Sequence, residues 1–241
     1  KNKTPDFAYH MTKFFTEYLP IQRNLSPNSI ATYRDTFRLL LLFYDTEKHI
    51  KPNLLTLDML NVQQIEDFML WLKKERNCGA STCNQRLGAL KSFFRYLQFA
   101  LPDCALQCQE NLAIRPMKQP EPGLKYLTID GIKLLLEQPD IKTKYGRRDL
   151  AILSLMYDTG ARVQEIADIK IVHIRFSAPA TIRITGKGDK TRVVPLLSRT
   201  EDILKQYIKD FKIDAGGNDA YLFQNRSGQQ LSRFGISYIL T

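Results

Sequence analysis

The sequence predicts a mainly α protein in two parts, an all-helical amino-terminal domain and a second domain that adds a small β-sheet to its helices. Three observations carry this expectation. Apolar residues recur at three- and four-residue spacing through about the first hundred residues. Residues 111–124 then hold Pro116, Pro120, Pro122 and Gly123, which no long helix accommodates. Finally, Thr181-Ile182-Arg183-Ile184-Thr185 and Thr191-Arg192-Val193-Val194-Pro195-Leu196 alternate as strands around the turn Gly186-Lys187-Gly188-Asp189-Lys190, which makes a β-hairpin with two lysines at its tip. A chain of 241 residues, 44% of them hydrophobic, is long enough for two separate cores.

In order, Phe7, Met11, Phe14, Phe15, Tyr18 and Leu19 give a first amphipathic helix that Pro20 is expected to end. Ser26-Pro27 starts a second, buried through Ile30, Tyr33, Phe37, Leu40, Leu41 and Tyr44. A third is expected from Thr56 to Arg76, with Ile65, Phe68, Met69 and Leu72 inward and Trp71 at its edge. Ser81 is expected to cap a fourth, Thr82 to about Ala100. These helices form a domain over residues 1–112, followed by a linker at 113–124 and a second domain at 125–241. There Thr128 caps a helix through Ile132, Leu135 and Leu136, and Lys142 to Arg148 reads as a basic loop. A mostly buried helix from Arg148 to Tyr157 comes next. Gly160 ends it, and a short helix restarts at Arg162. Ile169 to Arg175 enters the sheet, Glu201 to Phe211 is amphipathic, and residues 231–241 begin a last helix.

Thirty-five Lys and Arg against twenty-five Asp and Glu give a net charge of +10 and a pI near 9.4, which favours a polyanionic partner, nucleic acid or an acidic membrane surface. No apolar run approaches the roughly 20 residues that span a bilayer, and no signal peptide is recognisable, so a cytoplasmic location is expected. Cys78, Cys83, Cys104 and Cys108 form no Cys-x-x-Cys pair, and His10, His49 and His173 lie far from them in sequence. Reduced thiols are therefore expected rather than a metal site.

Arg162 and Glu165 stand three apart on one helix face, which fits either a surface ion pair or a guanidinium held by a carboxylate and aimed at an anion. The lysine-bearing turn fits either a solvated hairpin tip or a phosphate contact; a nucleotide P-loop is not expected, because a strand, not a helix, follows the lysine. Arg34, Arg38, Asn84, Arg86, Lys91 and Arg95 form either a solvated face or a nucleic-acid surface on the second and fourth helices. Arg115 and Lys118 in the linker, Arg147 in the basic loop and Arg192 in the hairpin extend this set.

Thr159-Gly160-Ala161-Arg162-x-x-Glu165-Ile166, the hairpin Gly186-Lys187-Gly188-x-Lys190-x-Arg192-x-x-Pro195-Leu196, then Tyr221-Leu222-Phe223 and Ser227-Gly228 together resemble the tyrosine recombinase (phage integrase-type) family from about residue 125 onward. The amino-terminal half is similar to that family's DNA-clamping helical domain, a four-helix, SAM-like fold. The resemblance implies strand exchange on double-stranded DNA by a homotetramer on paired sites, through a 3′-phosphotyrosyl bond that needs neither metal nor nucleotide cofactor. Arg162 matches the first of two arginines that clamp the nonbridging phosphate oxygens, Glu165 the acidic residue that holds it, and Lys187 the hairpin lysine that protonates the leaving 5′-oxygen, with Lys190 as fallback. Asn84 and Arg86 become candidates for reading bases, the other basic residues for phosphate contacts, and the location nucleoid-associated. The family's His-x-x-Arg motif is absent from these 241 residues: His173 lacks the arginine, and Tyr238 lacks the motif ahead of it. The expectation is therefore an incomplete catalytic domain, inactive alone, possessing no nucleophile and able to exist as a monomer. A mobile-element recombinase is the reading the resemblance favours; a non-catalytic DNA-binding protein and a type IB topoisomerase are the alternatives.

Overall fold

The computed structural model describes residues 6–119, 123, 126–213, 217 and 219–240, and the chain divides into two compact units, Lys1–Gly123 and Leu124–Thr241. Residues 120–122, 124 and 125, at the expected end of the linker and start of the second domain, lie outside the described residues, as does Thr241.

In the first unit, α1 (Phe7–Lys13) does not stop at Pro20 but widens into π-helical turns over Phe14–Gln22. There Arg23 donates its backbone N–H to the carbonyl five residues back, Tyr18, at 2.9 Å. Proline disrupts an α-helix by losing an i→i−4 bond and crowding that carbonyl, and the wider turn relieves both. Helix α2 (Pro27–Glu47) begins at the expected Ser26, whose hydroxyl accepts from Ser29 N–H. Helix α3 (Val62–Lys74) begins later than the sequence suggests. Thr56 spends its hydroxyl on Asp58, and the cap falls to Asn61, whose Oδ1 accepts from Gln64 N–H at 3.1 Å. Trp71 is buried rather than marginal, with its indole N–H donated to Glu47 at 3.2 Å. Helix α4 (Ala80–Ala100) starts after Gly79, so Ser81 is not the cap. The core joins these helices through aromatic rings: Phe93 lies 5.1 Å from Phe14 and 5.2 Å from Phe37, both edge-on.

An unexpected helix, α5 (Ala105–Ala113), follows and packs on α4. Its fully buried Asn111 donates to the carbonyls of Leu60 at 2.8 Å and Gln107 at 3.0 Å. Residues 114–119, beyond α5, form neither helix nor strand and are fastened to α4. Asn84 Nδ2 donates to Met117 C=O and Met117 N–H returns to Asn84 Oδ1, both at 2.8 Å, and Lys91 Nζ donates to Ile114 C=O at 2.6 Å. Burial draws the Lys91 ammonium below its ordinary pKa. Asn84→Ala removes both amide bonds at once. It is expected to cost about 1–2 kcal/mol in the first unit, to speed hydrogen exchange at the Met117 amide at least about tenfold, and to open trypsin cleavage after Lys118; unchanged exchange at Met117 would contradict the fastening.

In the second unit, α6 (Ile129–Glu137) is capped by Thr128, which accepts from Gly131 N–H at 3.1 Å. The expected basic loop is already helical: α7 (Lys144–Thr159) starts at the cap Thr143 and buries Ala151, Ile152, Leu153 and Leu155. The short α8 (Val163–Ala167) follows. A single turn at Ile171–His173 precedes β1 (Ile174–Arg175), so less of 169–175 is strand than expected, and Lys170 N–H donates to His173 Nδ1. The hairpin forms as read. Strands β2 (Thr181–Thr185) and β3 (Thr191–Pro195) pair antiparallel, in sheet order β1-β2-β3, with Ile182 opposite Val194 and Ile184 opposite Arg192. Ile182 and Ile184 are buried while Arg183 and Thr185 face out. Helix α9 (Ser198–Phe211), one turn longer than expected, packs on α7 through Leu204 and Tyr207. The last helix, α10 (Arg233–Ile239), is capped by Ser232 and packs on α8.

The four cysteines form no disulfide, and burial raises the Cys83 and Cys108 thiols above their usual range, Cys108 to about 11. Among the described residues no group of three His, Cys, Asp or Glu is placed to hold a metal ion, and no helix is long and apolar enough to cross a membrane.

Candidate active site

Gly160 ends α7 with φ +58°, the left-handed conformation that costs glycine least, and its N–H reaches Met156 C=O at 3.0 Å. The turn leaves Arg162 in extended backbone as the residue capping α8. Glu165, three residues on, reaches back: its Oε2 accepts Arg162 N–H at 3.1 Å and its Oε1 accepts Arg162 Nη1 at 2.8 Å. Arginine has no acceptor, so only the glutamate half of a capping box forms, and the same carboxylate that caps the helix also holds the guanidinium.

A third group completes the arrangement. Arg192 Nη2 donates to Glu165 Oε2 at 2.7 Å. Residues directly opposite on paired strands share a face, so Arg192 stands beside buried Ile184 on the covered side of the sheet. The Glu165 side chain is 5% exposed, Arg192 39% and Arg162 75%. One buried carboxylate thus anchors two guanidiniums, and most of the Arg162 fork is left in solvent. The Arg192 hydrogen bond is the largest influence on Glu165, followed on the favourable side by the Arg162 backbone and side-chain bonds; against the opposing effect of burial they draw its carboxyl down to about 2.

The hairpin turn abuts the same carboxylate. A Cβ at Gly186 would lie 2.6 Å from Glu165 Oε1, so any other residue there would push the carboxylate out of place. Gly186 N–H donates to Lys190 C=O at 2.9 Å, and Gly188 and Asp189 take φ of +76° and +55° to close the turn, which leaves Lys187 and Lys190 exposed at its tip. The structure therefore brings Arg162, Glu165, Arg192 and the turn that carries Lys187 and Lys190 to one place in the second unit.

Other expected site residues are placed differently. Arg147 is committed inside its own unit, to Asp210 and to the carbonyls of Ile141 and Lys142, at 2.9 and 3.2 Å. The polar groups of Asn84 are both spent on Met117 and Lys91 is bonded to Ile114. Arg34, Arg38 and Arg95 are exposed on α2 and α4, Arg115 and Lys118 are exposed in the segment beyond α5, and Arg86 is half-buried with its Nε unpaired. Sequence reasoning missed Gly186 as a contact of Glu165 and the inward face of Arg192. The signal for the second was present: alternation along β3 puts Arg192 in phase with Val194.

The model of the phage integrase family matches residues 125–241, and that of the family's N-terminal SAM-like domain matches residues 13–99. The chain belongs to the phage integrase family. The integrase/recombinase-like y4rC of Sinorhizobium fredii is 34% identical over 238 residues, 99% of this chain and 71% of that protein. Tyrosine recombinase XerD of Listeria innocua is 31% identical over 232 residues, covering 94% and 74%. The fold is shared with the Tn1549 transposon integrase in complex with transposon right end DNA, at a TM-score of 0.67 and 15% identity over 92% of this chain and 73% of that one. This integrase-family chain thus carries both the helical and the catalytic domain of tyrosine recombinases, enzymes that break and rejoin DNA.

Proposed function

We propose that this chain grips double-stranded DNA and presents Arg162 and Lys187 to a scissile phosphate in a site-specific recombinase of a mobile element. The observation that carries the reading is the state of Arg162: fixed at Nη1 by a buried carboxylate, yet three-quarters exposed, so that its other donors are available to an anion. In this reading a tyrosine oxygen attacks phosphorus, the bond to the 5′-oxygen breaks, and Lys187 or, failing it, Lys190 supplies the proton that oxygen needs. Arg162 meets the negative charge that gathers on the nonbridging oxygens, and Glu165 holds it there. The phosphodiester energy stays in the 3′-phosphotyrosyl bond until the next strand attacks, so the scheme needs neither ATP nor metal. The exposed Arg34, Arg38, Arg95, Arg115 and Lys118 serve as phosphate contacts, and Arg86 is the remaining base reader, Asn84 being engaged elsewhere. Relatives reported with DNA support duplex DNA as partner; a homotetramer on paired sites and a cytoplasmic, nucleoid-associated location complete the proposal.

The test is salt. If about six phosphates are contacted, affinity of the 241-residue chain for duplex DNA falls about a thousandfold between 50 and 200 mM salt. Fluorescence anisotropy at several salt concentrations measures it, and denaturing gels should show no covalent adduct. An affinity indifferent to salt, or no binding at all, would remove DNA as the partner.

A further inference from the structure

Arg192 is set apart from the exposed basic residues proposed as phosphate contacts by what it touches. A residue reaching for DNA phosphate points its fork outward, whereas Arg192 lies on the covered face of the hairpin, opposite Ile184, with Nη2 on a carboxylate that is 5% exposed. Without it, Glu165 would hold Arg162 only through a pair three residues apart on one turn, and such pairs are weak when solvent competes. With it, Glu165 Oε2 is fixed from β3 and from the Arg162 backbone at once, Oε1 is aimed at Arg162 Nη1, and the Gly186 backbone closes on the carboxylate from the lysine-bearing turn. Two guanidiniums on one carboxylate also leave a net positive charge at the spot where an anion would arrive. We propose that Arg192 is a positioning residue which, through Glu165, fixes the Arg162 guanidinium and the Lys187 turn in register with each other. The inference rests on the recombinase reading for its catalytic consequence, but not for its geometry.

The charged groups acting on Glu165 are Arg192 from β3 and Arg162 from its own turn; α7, α10 and β2, which also pack on α8, add none among the described residues, Arg183 of β2 facing outward. Its carboxyl is depressed in the folded chain. The stability it contributes is therefore complete above its ordinary value of 4.5 and is lost as pH falls toward about 2. Arg192→Ala should move the Glu165 titration, followed by carboxyl-carbon NMR of the 241-residue chain, up toward 4.5, and acid unfolding should begin at correspondingly higher pH. Duplex affinity should stay within about threefold, with the salt slope unchanged, because the fork is not spent on phosphate. In the recombinase carrying its nucleophilic tyrosine, cleavage per bound complex should fall about a hundredfold, the scale expected for a misplaced reacting group. Arg192→Lys restores the charge without the fork, so it should recover much of the titration shift and little of the cleavage; it also serves as the check should the alanine variant fold poorly. An unmoved Glu165 titration, or undiminished cleavage, overturns the proposal. A salt slope reduced by about one with a matching loss of affinity would instead make Arg192 a phosphate contact. If the parent protein neither binds nor cleaves DNA, the recombinase reading and the catalytic half of this inference fall together, while the Glu165 titration still decides whether Arg192 holds the carboxylate.

Discussion

In the recombinase carrying its nucleophilic tyrosine, replacing Arg162 with lysine is expected to reduce strand cleavage about a thousandfold, near 4 kcal/mol of transition-state stabilisation, while duplex affinity stays within about threefold of the parent. The asymmetry follows from what the side chain does in the proposed reaction. Arg162 already gives Nη1 to Glu165, and a guanidinium has donors left in a fixed plane for two phosphate oxygens. A lysine ammonium has one centre and must choose between carboxylate and phosphate. The charge it would meet is greatest in the pentavalent transition state, so the loss falls on rate rather than on binding. Covalent adduct formation on a suicide substrate, divided by the fraction of complex seen in gel shifts, measures the effect. A collapse of binding with cleavage per complex unchanged would make Arg162 an ordinary part of the DNA grip.

What could be read in advance about this site was what is local. The stop at Gly160, the three-residue spacing of Arg162 and Glu165, and the hairpin register all depend on neighbours within about six residues, and each appears in the structure where the sequence placed it. The same holds for the caps at Ser26 and Thr128. The bonds that could not be read in advance are those whose partners are distant in sequence. Arg147 meets Asp210, Asn84 meets Met117, Lys91 meets Ile114 and Arg192 meets Glu165. A basic side chain seen alone reads as a candidate for phosphate because nothing in its surroundings in the chain declares the carbonyl or carboxylate that folding will bring to it. Only Arg192 carried a hint, through its phase on β3.

Helix boundaries failed for a related reason. Pro20 is a sound stop signal for an α-helix, but the buried aromatic cluster around Phe14 and Tyr18 rewards continuing the chain, and π-helical turns reconcile the two. Helix α5 escaped notice because Leu106 and Leu112 are the only large apolar side chains among its nine residues, and it is held by buried Asn111 and Cys108 against the rest of the unit.

The second large effect is expected at the hairpin tip. In the same nucleophile-bearing recombinase, Lys187→Ala should slow cleavage of an ordinary phosphodiester by about 10²–10⁴-fold, the usual contribution of a positioned acid. A substrate in which sulfur replaces the bridging 5′-oxygen should be cleaved by the variant at close to the parent rate. The reasoning concerns the leaving group: an alkoxide is a poor one until protonated, while a thiolate departs without a proton, so removing the acid matters only for oxygen. A purely structural role for Lys187 would slow both substrates equally, since a distorted turn would displace Glu165 and with it Arg162 whatever atom leaves. Lys190 stands three residues along the same turn and is also exposed, so Lys190→Ala belongs in the same experiment. Rescue by sulfur in that variant and not in Lys187→Ala would move the acid to Lys190. Rescue in neither would place the proton's source outside this hairpin, and would leave Gly186 and Arg192 as the turn's whole contribution, a brace for Glu165 rather than a carrier of chemistry.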